Sequence, residues 1–229
     1  MSRPPRVPSR DEVPEDERAN YDAIVKAAHF SLEVTKDGEK AFEWNHSNLF
    51  MDYYSRLLVN PDAARAIRLV GGATRKGEYF EGSGSFSAAD HELIDLVLCF
   101  DADYWALLRI HTPSAVVAGV SVDTIEALRD RREDELDDDT KFVVRFIREV
   151  AGGTLTDESW DRMESRLGTE RGVVDFVILI LILQLHVRLH HVFKIEPISK
   201  EEYADMLAAL RSGTIGRSKD EARSFVSHR

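Results

Sequence analysis

The chain is 229 residues long and has one cysteine, Cys99. A disulfide framework, a Cys-rich zinc site and an internal dithiol redox centre are therefore excluded. Positive charge is also scarce: 30 Lys+Arg stand against 41 Asp+Glu, a formal net charge of −11. Recognition of nucleic acid needs a basic face, so it is excluded as the main business of this chain, and an anionic membrane surface is disfavoured in the same way. Long apolar runs are missing. The longest runs from Val173 to Leu185 and is broken by Asp175 and Gln184, short of the ~20 residues a membrane span needs. The first ten residues carry charge but no apolar core, unlike a signal peptide. A cytoplasmic protein with no membrane partner is the expectation.

What is present is helix signal. The composition, 43% hydrophobic and 31% charged, is globular, with enough chain for a substantial core. Tyr21, Ile24, Val25 and Ala28 share one helical face. Ser47, Ser87, Ser121, Asp137, Thr156 and Ser199 are placed to cap helices, and Gly119, Gly153 and Gly168 to end them. Ser199 and Glu202 form a capping box. Lys36-Asp37-Gly38-Glu39 is a turn and 77–85 a glycine-rich loop. No two-residue hairpin is assigned. The expected fold is all-α with nine or ten helices. It has an extended arm at 1–12, one helical domain at 13–210, and a mobile basic tail at 211–229.

Glu92 and His111 are the first candidates for chemistry. With a turn near 101–103 they lie at equal distances from it on antiparallel helices, so they meet at one level, about 14 Å from the turn at ~1.5 Å per residue. The pair is either an acid/base couple or a satisfied structural contact. His186 and His190 are spaced i, i+4 on a long helix running from about Glu170 to Phe193. That spacing suits two metal ligands or two residues bordering a pocket. His46, Tyr104 and Trp105 are further pocket candidates, the aromatics being equally suited to core positions. Arg109 suits an ion pair. The acidic run Glu133–Asp139 lacks the glycine and ligand alternation of a calcium loop.

The run His91-Glu92-Leu93-Ile94-Asp95-Leu96-Val97-Leu98, followed by a Tyr/Trp segment and His111-Thr112-Pro113-Ser114-Ala115, resembles the carboxymuconolactone decarboxylase / alkylhydroperoxidase D-like superfamily. Arg3-Pro4-Pro5-Arg6-Val7-Pro8, Asn60-Pro61-Asp62-Ala63-Ala64-Arg65 and Arg171-Gly172-Val173-Val174 are similar to its outer elements, over about 3–197. The redox members carry Glu-x(11)-Cys-x-x-Cys-x(3)-His. Here Glu92 and His111 match the Glu and the His, while the cysteine positions hold Tyr104 and Leu107. Attack on a peroxide followed by disulfide resolution needs two thiols. The resemblance therefore implies the scaffold without thiol peroxidase activity.

It implies instead a lyase, decarboxylase or isomerase that works without cofactor or metal on a small carbonyl or lactone acid. His111 would be the base or acid, Glu92 its relay, and Tyr104 a donor to the enolate oxygen. Trp105, His46, His186 and His190 would line the pocket. A homo-oligomer, trimer or hexamer, is implied as well. Two other readings stand beside it: a non-catalytic ligand-binding or structural relative, and a metal enzyme using His186 and His190.

Overall fold

The computed structural model describes residues 5–28, 32–36, 39–44, 46–74 and 85–213, and within 27–51 the backbone alone. The helices are α1 (Arg18–Ala28), α2 (His46–Leu57), α3 (Pro61–Thr74), α4 (Ala88–Asp101) and α5 (Leu108–Ala118), then α6 (Val122–Arg129), α7 (Asp138–Gly152), α8 (Asp157–Leu167), α9 (Glu170–Val192) and α10 (Lys200–Ser212). The all-α class holds, with one addition. β1 (Leu32–Lys36) and β2 (Glu39–Trp44) pair antiparallel, Leu32 opposite Trp44 and Lys36 opposite Glu39. The sequence reading assigned no hairpin; Asp37-Gly38 is the two-residue connection that favours one. Residues 37, 38 and the 77–84 part of the glycine-rich loop lie outside the described residues, as does the tail beyond 213.

Helix ends follow their caps. Ser87 Oγ accepts from the Asp90 N–H while the Asp90 carboxylate accepts from the Ser87 N–H, a closed capping box that starts α4. Gly119 ends α5 at φ 107°, a left-handed conformation that favours glycine. Thr156, Thr169 and Ser199 cap α8, α9 and α10. Ser47 falls inside α2 instead of capping it. The extended arm lies along its own domain. Tyr21 donates to the Pro8 carbonyl and Arg10 pairs with Asp22 of α1.

The centre of the molecule is α4. Every residue from Asp90 to Phe100 is buried, because α5, α6, α7 and α9 all pack against it. A helix enclosed in this way buries polar as well as apolar residues, and each charge on it needs a partner. Asp90 finds one in Arg166, whose guanidinium also holds Asp139. α9 is the other core helix. By length and composition it could cross a membrane, but Val173, Phe176, Leu179, Ile180, Leu183 and Val187 are buried in the core, and the helix packs on α3, α4, α7 and α8.

Candidate active site

The tight connection between α4 and α5 brings Glu92 and His111 together. His111 Nδ1 lies 2.9 Å from Glu92 Oε2 and 3.1 Å from Asp95 Oδ2. Glu92 and Asp95 are i, i+3 on α4, so both carboxylates face the same α5 residue. His91 closes the group from the neighbouring face, its Nε2 3.4 Å from Asp95 Oδ2 and its Nδ1 3.7 Å from Glu92 Oε1. The side chains of Glu92 and Asp95 are 3% and 0% exposed, and that of His111 12%. Two buried acids therefore point at one imidazole edge. They accept from the Nδ1 N–H, which leaves Nε2 as the ring nitrogen that can take up or give a proton.

His190 is beside this group on α9. It is buried, its Nδ1 donates to the His186 carbonyl at 2.8 Å, and its ring stacks on Tyr53 at 4.0 Å between centroids. Burial lowers its pKa to about 4, with the His111 charge lowering it further and that of Asp95 opposing. His190 is thus neutral near pH 7 and carries its lone pair on Nε2. His186 contacts the other side of the Tyr53 environment, 5.6 Å between centroids. Among the described residues the side chains gathered closely enough to hold a metal are Glu92, Asp95 and His111, within 4.8 Å of one another. The pair His186 and His190 is not brought into such a set.

Tyr104 is placed elsewhere. Its hydroxyl donates to the Ile195 carbonyl at 2.6 Å, its ring stacks on His191 at 5.2 Å, and burial raises its pKa. Its one hydroxyl proton is committed, so it does not serve an enolate. The segment from Tyr104 to Leu107 is non-helical and precedes α5. Trp105 packs edge-on against Phe100 and Tyr203. With Arg129, Asp130, Lys200 and Tyr203 it lines a separate open pocket of about 330 Å³. His46 begins α2, and its side chain lies outside the described residues. Asp95 and His91 are the site residues that the sequence reading passed over. The spacing His91-Glu92-x-x-Asp95 was the available signal.

Arranged in this way, the helices define the alkylhydroperoxidase D-like fold. A solved structure that shares it is the AhpD core of an uncharacterized peroxidase-related protein from Ralstonia eutropha JMP134, at a TM-score of 0.57 and 14% identity, over 86% of this chain and 93% of that one. Identity that low speaks for the fold alone. No family model matches the chain, and no curated protein matches it.

Proposed function

We propose that the chain is an acid–base enzyme of the lyase, decarboxylase or isomerase kind, acting on a small carbonyl or lactone acid. The supporting observation is the His111 imidazole held by two buried carboxylates with Nε2 left as the base. In an isomerisation, Nε2 removes a proton next to the carbonyl, the electron pair passes into an enolate, and the same imidazolium returns the proton to another carbon. In a decarboxylation the ring starts as the imidazolium: the bond to the carboxylate breaks, carbon dioxide leaves, the carbanion takes the Nε2 proton, and the neutral ring is reprotonated from solvent. Glu92 and Asp95 are positioning residues that stabilise the imidazolium. The thiol chemistry suggested by the neighbour's name is not proposed: Cys99 is fully buried, and burial pushes its thiol well above the ordinary range.

The test is turnover on a panel of small carbonyl and lactone acids. His111→Gln is expected to lower kcat on the order of 100-fold, the smaller end of what a positioned acid/base supplies. Glu92→Gln is expected to lower kcat by a smaller factor, because Asp95 still accepts from His111 Nδ1. Unchanged turnover in both variants overturns the assignment. The alternative, a ligand-binding or structural relative, draws on the depth of Glu92 and Asp95. It predicts that the variants change stability and leave ligand conversion absent throughout.

The reading includes a homo-oligomer. Val174, Ile178, Leu181 and Leu185 are 41%, 38%, 47% and 38% exposed on one face of α9. Their spacing of 4, 3 and 4 is the seam one helix presents to another. Leu69 and Val70, on the α3 helix that packs beside α9, are exposed too. A second copy of this chain is the proposed occupant, and a localisation in the cytoplasm goes with this reading. Leu181→Glu is expected to lower the mass measured by light scattering to that of a smaller species. An unchanged mass would place the subunit contact elsewhere.

A further inference from the structure

We propose that Glu92, Asp95 and His111 form a binding site for one divalent transition-metal cation. The site goes beyond the proton-transfer reading and does not depend on it. Three observations support it. First, the ligand types match: one imidazole and two carboxylates are the donor set that borderline divalent ions such as zinc, cobalt, manganese and iron accept. Second, the spacing matches. Bonds of about 2.0–2.2 Å to an ion place neighbouring ligand atoms about 3 Å apart when they meet at right angles. His111 Nδ1 is 2.9 Å from Glu92 Oε2 and 3.1 Å from Asp95 Oδ2, and the three donor atoms lie within 4.8 Å of one another. Third, charge calls for it. Two carboxylates at 3% and 0% exposure bring up to two negative charges into the core, where an unbalanced charge is costly. A divalent ion would neutralise both, in addition to the contacts the carboxylates make with His111 and His91.

His190 borders the site. It is 3% exposed, its Nδ1 proton is donated to a backbone carbonyl, and it is near enough for the charges of His111 and Asp95 to act on it. A histidine whose one nitrogen is tied to a carbonyl and whose other nitrogen carries a lone pair is the form that ligates metal. His190 lies outside the three donors that come within 4.8 Å of one another, so it is a neighbour of the site and not one of its ligands. His91, beside both carboxylates, supports them from the next shell. When the ion binds, Nδ1 gives up its proton and the neutral ring carries its proton on Nε2, so the metal-bound ring is not the base of the proton-transfer reading. Metal and proton therefore compete for one nitrogen. Three protein ligands leave coordination positions open for water or for a carbonyl oxygen.

The experiment uses the full-length, tag-free protein after dialysis against a chelator. Zinc is titrated by calorimetry, and cobalt by visible absorption, which reports a ligand field directly. The expected result is one ion per chain with a Kd below about 10 μM, and for cobalt a visible band that saturates at the same stoichiometry. Asp95→Asn and Glu92→Gln, near-isosteric changes whose folding is checked by circular dichroism, are expected to weaken binding at least tenfold each. Glu133→Gln, in a separate cluster with Arg148 and Asp101, is expected to leave it unchanged. Binding no tighter than millimolar, or stoichiometric binding that both core variants retain, overturns the proposal. The wild-type cobalt spectrum decides even if a core variant does not fold. No readout here is turnover, so failure of the His111 kinetic test and failure of the metal site are told apart.

Discussion

Replacing His111 with alanine in the metal-free protein is expected to cost the fold about 3–5 kcal/mol, the range seen when one partner of a buried ion pair is removed. The imidazole is the nearest balancing group to two buried carboxylates, at 2.9 Å from one and 3.1 Å from the other. Without it, Glu92 and Asp95 face each other across the space it leaves. His91 balances them less well, at 3.4 Å and 3.7 Å. A cavity adds to the loss. The charge part is separable from the packing part. Adding Glu92→Gln and Asp95→Asn to His111→Ala is expected to recover part of the stability, because the group left behind is then neutral. The triple variant is thus predicted to be more stable than the single one, an unusual sign for added substitutions. Urea midpoints at pH 7, with m-values compared to confirm a common unfolded state, check it. A His111→Ala cost near 1 kcal/mol, or a triple variant less stable than the single, would mean that the carboxylates are balanced by other groups.

The same cluster shows what the sequence could and could not convey. The meeting of Glu92 and His111 was legible because it depends on two quantities that sequence carries well: a turn position near 101–103 and the rise per residue of a helix. The capping box at Ser87 and the left-handed Gly119 fixed the far ends of α4 and α5. Asp95 was legible in principle, one turn after Glu92. It was missed because periodicity divides a helix into an apolar and a wet face, and α4 has no wet face. Four polar residues, Asp90, His91, Glu92 and Asp95, are enclosed with the apolar ones, and only tertiary packing decides that. Tyr104 failed for a local reason. Tyr104 precedes the start of α5 at Leu108, and its hydroxyl and ring engage Ile195 and His191. The partnership of His190 with the site was not legible at all, since about eighty residues separate the two and nothing short of the packing of α9 on α4 joins them.

His190 also gives the second large expected effect, a loss of stability in mild acid. A histidine of ordinary pKa, about 6.5 in the unfolded chain, is held down to about 4 in the fold, chiefly by burial. Above pH 6.5 neither state binds the proton and His190 imposes no penalty. As the pH falls below 6.5 the unfolded chain takes up a proton that the folded one refuses. The unfolded state then binds more protons, and stability declines with falling pH. The decline continues to about pH 4, where the folded state also protonates. Over that window the shift corresponds to about 3 kcal/mol at 1.36 kcal/mol per unit. Desolvation is the cause, and the carbonyl of His186 on Nδ1 opposes it only in part. His190→Gln keeps an amide that can donate to that carbonyl and removes the titration. The expected result is a flatter stability curve between pH 6.5 and 4 for the variant than for the wild type, measured by urea unfolding at half-unit steps. The two curves should differ most near pH 4 and run parallel above pH 7, where the remaining offset reports the lost stacking on Tyr53. Equal slopes in the two proteins would mean that His190 takes its proton in the fold as readily as in the unfolded chain, and so that it is not the dry, neutral imidazole its surroundings make it.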